Sequence, residues 1–289
     1  MKRLVLGALF AVLLVLSNDA LDAMDWPCEG AELARNFGWN ANGSPVLGMV
    51  FTGDAKALAA DKGDVIFTRG SEDTASRLPS PLGAWTAIDH EDGLISIYSR
   101  YGDAALPSLQ VEKLEPVAQA GISGWSKQKG FYFILYDRKE RRWINPAMII
   151  TPLKESAAPQ IISVSLKNDE IIPLTSPQPR AIGQGRYSVL VNAASILMAA
   201  RERLLAPQRI VCSVNGAEAG SLNFEAVSAR DGVLMVYRNG LVPAKQVYAN
   251  FPSFEIAAVV LSRGQATLEI IVQDIAGNSR NSLNRVIVN

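Results

Sequence analysis

Gly, Asp, Asn and Pro interrupt the apolar runs of this chain so often that almost none is long enough for a helix, while most suit a strand. Between Trp26 and Pro152 the runs 46–52, 63–68, 84–89, 94–98 and 131–137 read as strands, and Asp92-Gly93 is a two-residue hairpin signal between two of them. Beyond Pro159 come the runs 161–166, 170–174, 187–191, 210–214, 222–226, 233–237, 254–261, 267–272 and 285–288, whose regular spacing suggests a β-sandwich. One stretch reads differently. Residues 193–205 (AASILMAARERLL) lack Gly and Pro and place Ile196, Leu197, Ala200 and Leu204 on one face, which predicts a short helix. The expected fold is mainly β, an antiparallel β domain over 24–152 followed by an immunoglobulin-like sandwich over 160–289. The polar, proline-marked segment 153–159 reads as the linker between them.

The N-terminus opens on Met1-Lys-Arg, continues with an uncharged apolar run at 4–16 and ends in small residues near Ala20 and Ala23. This is the pattern of a signal peptide over 1–23, with a mature chain starting near Leu21 or Met24 and placed in the periplasm or cell envelope. The run is short of the ~20 apolar residues that span a bilayer, and no later run comes nearer, so no membrane span is expected in the mature chain. Basic and acidic residues balance at 28 each, which argues against a nucleic-acid partner.

Imidazole and thiol are scarce, and that limits the chemistry. The chain has one histidine, His90, and two cysteines, Cys28 and Cys212, so no metal site within one copy can rest on two histidines. A Cys28–Cys212 disulfide is permitted outside the cytoplasm and stays open. Cys28 with His90 is the one conceivable thiol dyad, but Cys28 sits in a segment without nucleophile features. Asp89, Glu91 and Asp92 beside His90 read as solvated turn carboxylates, and the basic run 138–142 as a solvated hairpin loop. Asp274 and Asn278 flank Gly277 in a pattern that suits a side-chain-capped turn better than a calcium site.

Six segments in order resemble one family. They are Pro27-Cys-Glu-Gly30, Asn36-Phe-Gly-Trp39, Gly63-Asp-Val-Ile-Phe67, the hairpin from Gly83 to Tyr98, Gly121-Ile-Ser-Gly-Trp-Ser126, and Trp143-Ile-Asn-Pro-Ala-Met-Ile-Ile150. Together they are similar to the lysostaphin/LytM-type zinc endopeptidases that cut peptidoglycan cross-bridges, on an antiparallel β core. The second half resembles bacterial immunoglobulin-like or fibronectin-like domains, most clearly at 267–278.

At the positions where that family binds zinc and carries its acid–base residues, this chain departs from it. The H-x-x-x-D segment aligns with Val46-Leu-Gly-Met-Val50, keeping the central Gly48. The Y-x-H end of the hairpin is Tyr98-Ser-Arg100, and the H-x-H strand is Phe131-Tyr-Phe133. Val46, Val50, Phe131 and Phe133 have no lone pair for a metal, and Arg100 brings fixed positive charge. The resemblance therefore implies no metal, no cofactor and no catalytic residues. It implies an exported regulator or scaffold of peptidoglycan remodelling whose partner is a cell-wall hydrolase or another envelope protein, with peptidoglycan itself a second candidate. Two alternatives stay open, an active cell-wall zinc metalloendopeptidase and a structural or adhesive envelope protein. Phe131 and Phe133, two apart on one strand, must share a face. With Arg100 and Trp85 they are expected to line a partner groove that is self-packed or takes a segment bearing an apolar residue and an acid. The alternative is that both rings complete the core.

Overall fold

A computed structural model describes residues 23–70, 80–91, 93–104, 109–150, 156–174, 178–198 and 202–289. The expected signal segment lies outside these apart from Ala23, as do Asp92 and positions 153–155 of the expected linker. The interrupted apolar runs become strands. In the first half they are β1 (Cys28–Glu29), β2 (Glu32–Arg35), β3 (Met49–Thr52), β4 (Lys56–Leu58), β5 (Gly63–Arg69), β6 (Ala84–Asp89), β7 (Leu94–Tyr101), β8 (Gln110–Val111), β9 (Pro116–Gln119), β10 (Gly130–Asp137) and β11 (Arg142–Ile144). In the second half they are β12 (Ser156–Lys167), β13 (Ile171–Leu174), β14 (Arg180–Ile182), β15 (Gly185–Met198), β16 (Glu202–Leu205), β17 (Arg209–Val214), β18 (Ala217–Arg230), β19 (Val233–Arg238) and β20 (Leu241–Pro243). A one-turn helix, α1 (Ala244–Tyr248), then precedes β21 (Phe254–Leu261), β22 (Gly264–Gln273) and β23 (Ser279–Val288). The protein is mainly β, and its strand pairs are antiparallel except β14 with β23.

One sheet runs through both halves in the order β14-β23-β22-β17-β18-β11-β10-β7-β6-β5-β8, with β3 and β2 joined at β10. The join between halves is β11 on β18, where Trp143 opposes Val227. A second sheet, β13-β12-β15-β16 with β21 on β15, faces the β17, β18 and β22 end of the first. Val189, Ile210, Cys212, Ile256, Leu268 and Ile270 fill the space between them. A separate core under the first half holds Phe51, Tyr98, Phe131, Phe133 and Leu135, closed on its other side by the small sheet β1-β4-β9.

The described residues of 193–205 form no helix, and positions 199–201, Ala200 among them, lie outside the described residues. Residues up to Met198 extend β15, and Glu202–Leu205 fold back on it as β16, with Ile196 opposite Leu204. Ala193, Ala194, Ser195, Ile196 and Leu197 are buried in succession, Ala193 in the core between the two sheets and Leu197 in the core of the first half. A strand buried on both faces has no period of two to read, and local helix preference yields to the ladder. Positions 156–159 of the expected linker likewise open β12.

His90 is structural. It closes the β6–β7 hairpin, with Nδ1 2.7 Å from the Lys62 carbonyl and Nε2 2.9 Å from Ser96 Oγ, so both ring nitrogens are engaged. Glu91 pairs with Lys62 at 3.1 Å and Asp89 with Arg138 at 2.7 Å. Cys28 and Cys212 are both buried and unbridged. Asp274 accepts Asn278 N–H at 2.8 Å and Asn278 Nδ2–H at 2.9 Å, closing the turn at Gly277. Side chains also tie the halves together. Asn36 donates to the Ala206 carbonyl at 2.8 Å and accepts the Ala206 N–H at 2.7 Å, and Asn145 donates to the Phe224 carbonyl at 2.8 Å. Asn36→Ala would strand both backbone groups of Ala206, at an expected cost of about 1–3 kcal/mol in urea unfolding.

Candidate functional site

Directly opposed residues on paired strands share a face of the sheet. From β5 to β2 the register gives one such row: Arg69, Trp85, Ser99, Tyr132, Val50 and Arg35. The next row, Tyr98, Phe133 and Met49, faces the other way into the core, as does Phe131 opposite Phe51. The residue at the centre of the outer face is therefore Tyr132.

This corrects the expectation for Phe131 and Phe133. Phe133 is fully buried with its ring centroid 5.1 Å from that of Tyr98, and Phe131 is stacked on Phe51 at 4.8 Å. Phe131 touches the groove at its border, while Phe133 does not line it. Both rings complete the core. Trp85, expected in the groove, stands on the outer face, but its ring stacks on Phe67 at 4.2 Å and does not line the groove.

Val46, Val50 and Arg100 do come together, around Tyr132. Val46 packs with Tyr132 and Ile134, with Val50 and Trp39 against them. The Tyr132 hydroxyl accepts the Leu47 N–H at 2.8 Å, which pins the 46–48 segment onto the sheet. Gly48 permits this approach, because a Cβ there would lie 2.1 Å from the Phe133 carbonyl oxygen. Burial pushes the Tyr132 phenol up to about 12, against the smaller opposing effects of the Leu47 N–H and the Arg100 charge. At neutral pH it is a neutral, occupied acceptor.

Arg100 should point away from this face, since it follows Ser99 on β7. Its backbone breaks the alternation with φ +62°, a conformation uncommon for a residue with a side chain. The Arg100 N–H is held by the Leu82 carbonyl at 2.8 Å, and its guanidinium lies over the Tyr132 ring, 5.0 Å from the centroid. Its Nε is buried and has no hydrogen-bond partner among the described residues.

A groove of about 410 Å³ opens beside this pair, lined by Arg35, Val50, Thr52, Arg100, Trp125 and Lys127 among others. Its outer wall is the 125–128 segment, whose preceding residues pack backbone to backbone on the hairpin. A Cβ on Gly83 would meet the Gly124 nitrogen at 2.3 Å, and Ser123 Oγ bridges the Ala84 N–H and the Tyr101 carbonyl. This docking leaves Trp125 73% exposed at the rim. Among the described residues no three His, Cys, Asp or Glu side chains lie close enough together to hold a metal. Val50 and Tyr132 line the groove, and none of the described residues lining it is a His, Cys, Asp or Glu. Sequence reasoning missed Tyr132. The signal available was the alternation itself, because a run that is apolar at every position hides which residues face outward.

A family model matches residues 158–289. No curated protein matches the chain. Among solved structures it is similar to the SpoIIQ–SpoIIIAH pore-forming complex, at 15% identity over 44% of this chain and 90% of that one, with a TM-score of 0.36. It is similar to a zinc-containing peptidase from Vibrio cholerae, at 18% identity over 43% of this chain and 39% of that one, TM-score 0.36. It is also similar to lysostaphin, at 12% identity over 83% of this chain and 98% of that one, TM-score 0.35. Among the described residues no helix is long and apolar enough to cross a membrane.

Proposed function

We propose that this is an exported, non-catalytic LytM-like protein that acts by binding, as a regulator or scaffold in peptidoglycan remodelling. Its second half would serve as an immunoglobulin-like interaction module, and its partner would be a cell-wall hydrolase or another envelope protein. The reading starts from the six framework segments of the sequence. One observation carries it: where the resembled family places zinc, Val46 and Val50 close over a buried Tyr132 whose hydroxyl is already used by Leu47, with Arg100 on its ring. A dication has neither ligand nor charge compensation there. The mature protein is expected to hold less than about 0.1 equivalent of zinc by elemental analysis. It is expected to release no soluble fragments from purified peptidoglycan, and to change the rate at which an envelope hydrolase does so. One equivalent of tightly held zinc together with fragment release would establish the active metalloendopeptidase instead.

A further inference from the structure

The groove beside Tyr132 carries three cations, Arg35, Arg100 and Lys127, and none of the described residues lining it is Asp or Glu. Elsewhere basic side chains meet acids: Lys129 pairs with Asp54 at 2.8 Å, Arg138 with Asp89 at 2.7 Å and Arg238 with Glu255 at 3.0 Å. Arg35, Arg100 and Lys127 form no ion pair among the described residues. Arg100 is the most constrained of them. Its guanidinium carbon lies over the Tyr132 ring, its buried Nε is unpartnered, and its terminal nitrogens make no ion pair among the described residues. Such a fork in a partly desolvated setting matches a carboxylate in geometry and charge. The remaining lining describes the rest of the ligand. Val50 and the exposed Trp125 offer apolar contact, and Thr52, Ser126 and Gln128 offer the donors and acceptors that peptide groups require.

We propose that this groove binds a carboxylate-bearing peptide segment, with the carboxylate on Arg100 and a neighbouring apolar side chain against Val50 and Trp125. The proposal rests on the non-catalytic reading above, since a metal in the same place would set different ligand chemistry. Arg35 and Lys127, both exposed, would add longer-range attraction, so binding should weaken as salt rises.

The test uses the mature full chain and three peptides: acetyl-Gly-Gly-Leu-Gly-Leu with a free C-terminus, its C-terminal amide, and acetyl-Gly-Leu-Glu-Gly-amide. Tryptophan fluorescence and calorimetry report binding. At least one carboxylate peptide is expected to bind ten-fold or more tightly than the amide, and comparison of the two carboxylate peptides tells a chain end from an acidic side chain. Arg100→Ala is expected to abolish this preference while Arg100→Lys keeps part of it, with unchanged thermal midpoints. If Arg100→Ala fails to fold, the double variant Arg35→Ala/Lys127→Ala carries the test and is expected to flatten the salt dependence. Equal binding of all three peptides, no binding of any, or an Arg100→Ala variant that folds and keeps the preference overturns the proposal. Zinc content and peptidoglycan cleavage are measured on the same preparation. Lost carboxylate preference in a zinc-free, non-cleaving sample condemns the groove assignment alone, whereas zinc with cleavage overturns the reading beneath it as well.

Discussion

Phe133→Ala is expected to lower the stability of the protein by about 3–5 kcal/mol in urea unfolding, with no loss of groove binding beyond that due to unfolded chain. Phe133 is completely buried, stands opposite Met49 on β3 and Tyr98 on β7, and meets the Tyr98 ring at 5.1 Å. The neighbours that would have to collapse into the vacated space are themselves held. Tyr98 is tied by the hydrogen bond its hydroxyl accepts from the Ala60 N–H at 2.8 Å, and the facing backbone is fixed in the β10 ladders. Little relaxation is available, so the cavity persists and the cost falls in the upper part of the large-to-small range. Phe131→Ala serves as the comparison. Phe131 is 2% exposed and lines the groove, so its vacated space lies nearer to solvent than that of Phe133, and a smaller loss is expected. A Phe133→Ala cost below about 1 kcal/mol would mean that the ring is not in the core and that the outer face has been misassigned.

The same two rings show what the sequence did and did not disclose. Strands such as Ala84–Asp89 and Phe254–Leu261 have the bounds read from the chain, because turn residues end them on both sides. In Gly130–Asp137 the apolar character is unbroken from Phe131 to Tyr136, so nothing local says whether Phe131 and Phe133 or Tyr132 and Ile134 face out. That choice is made by partners distant in sequence. Met49 and Phe51 from one side and Tyr98 from the other set the phase, and a shift of one residue exchanges the two faces. The stretch 193–205 failed for a related reason, as residues 193–197 are buried in succession and keep no alternation. Val46, Val50 and Arg100 were legible because short motifs flank them. The positive φ that turns Arg100 onto Tyr132 was not, since it answers a bulge opposite Ala84 and Trp85 in the neighbouring strand.

Alkaline pH is expected to unfold the protein below pH 12, through phenols and thiols that its core holds protonated. Burial pushes Tyr132 up to about 12, Cys28 up to about 11 and Cys212 up to about 12, and raises Tyr98 and Tyr248 further. In the unfolded chain a phenol ionises near ~10 and a thiol near ~8.5. Below about pH 8 both states keep these protons and the folded state has its full stability. As pH rises through the unfolded values, the unfolded chain releases protons that the folded chain still binds. Unfolding free energy therefore falls with pH, and the loss is complete once the folded values are passed. With Tyr132 held up at about 12 against ~10 in the unfolded chain, on the order of 2–3 kcal/mol is lost by the time the folded group ionises. Several such groups together rival the ~5–15 kcal/mol that stabilises a whole domain. The measurement is tyrosinate absorbance and near-ultraviolet circular dichroism followed together from pH 8 upward. Buried tyrosines should ionise in one cooperative step that coincides with loss of tertiary signal. Cys212→Ala should move that step to higher pH, because it removes a thiol that must otherwise stay protonated without leaving any polar group unpaired. Gradual ionisation of all seven tyrosines with the fold intact would show that Tyr132 and Tyr98 reach solvent, and would place the floor of the groove in water instead of under Val46 and Val50.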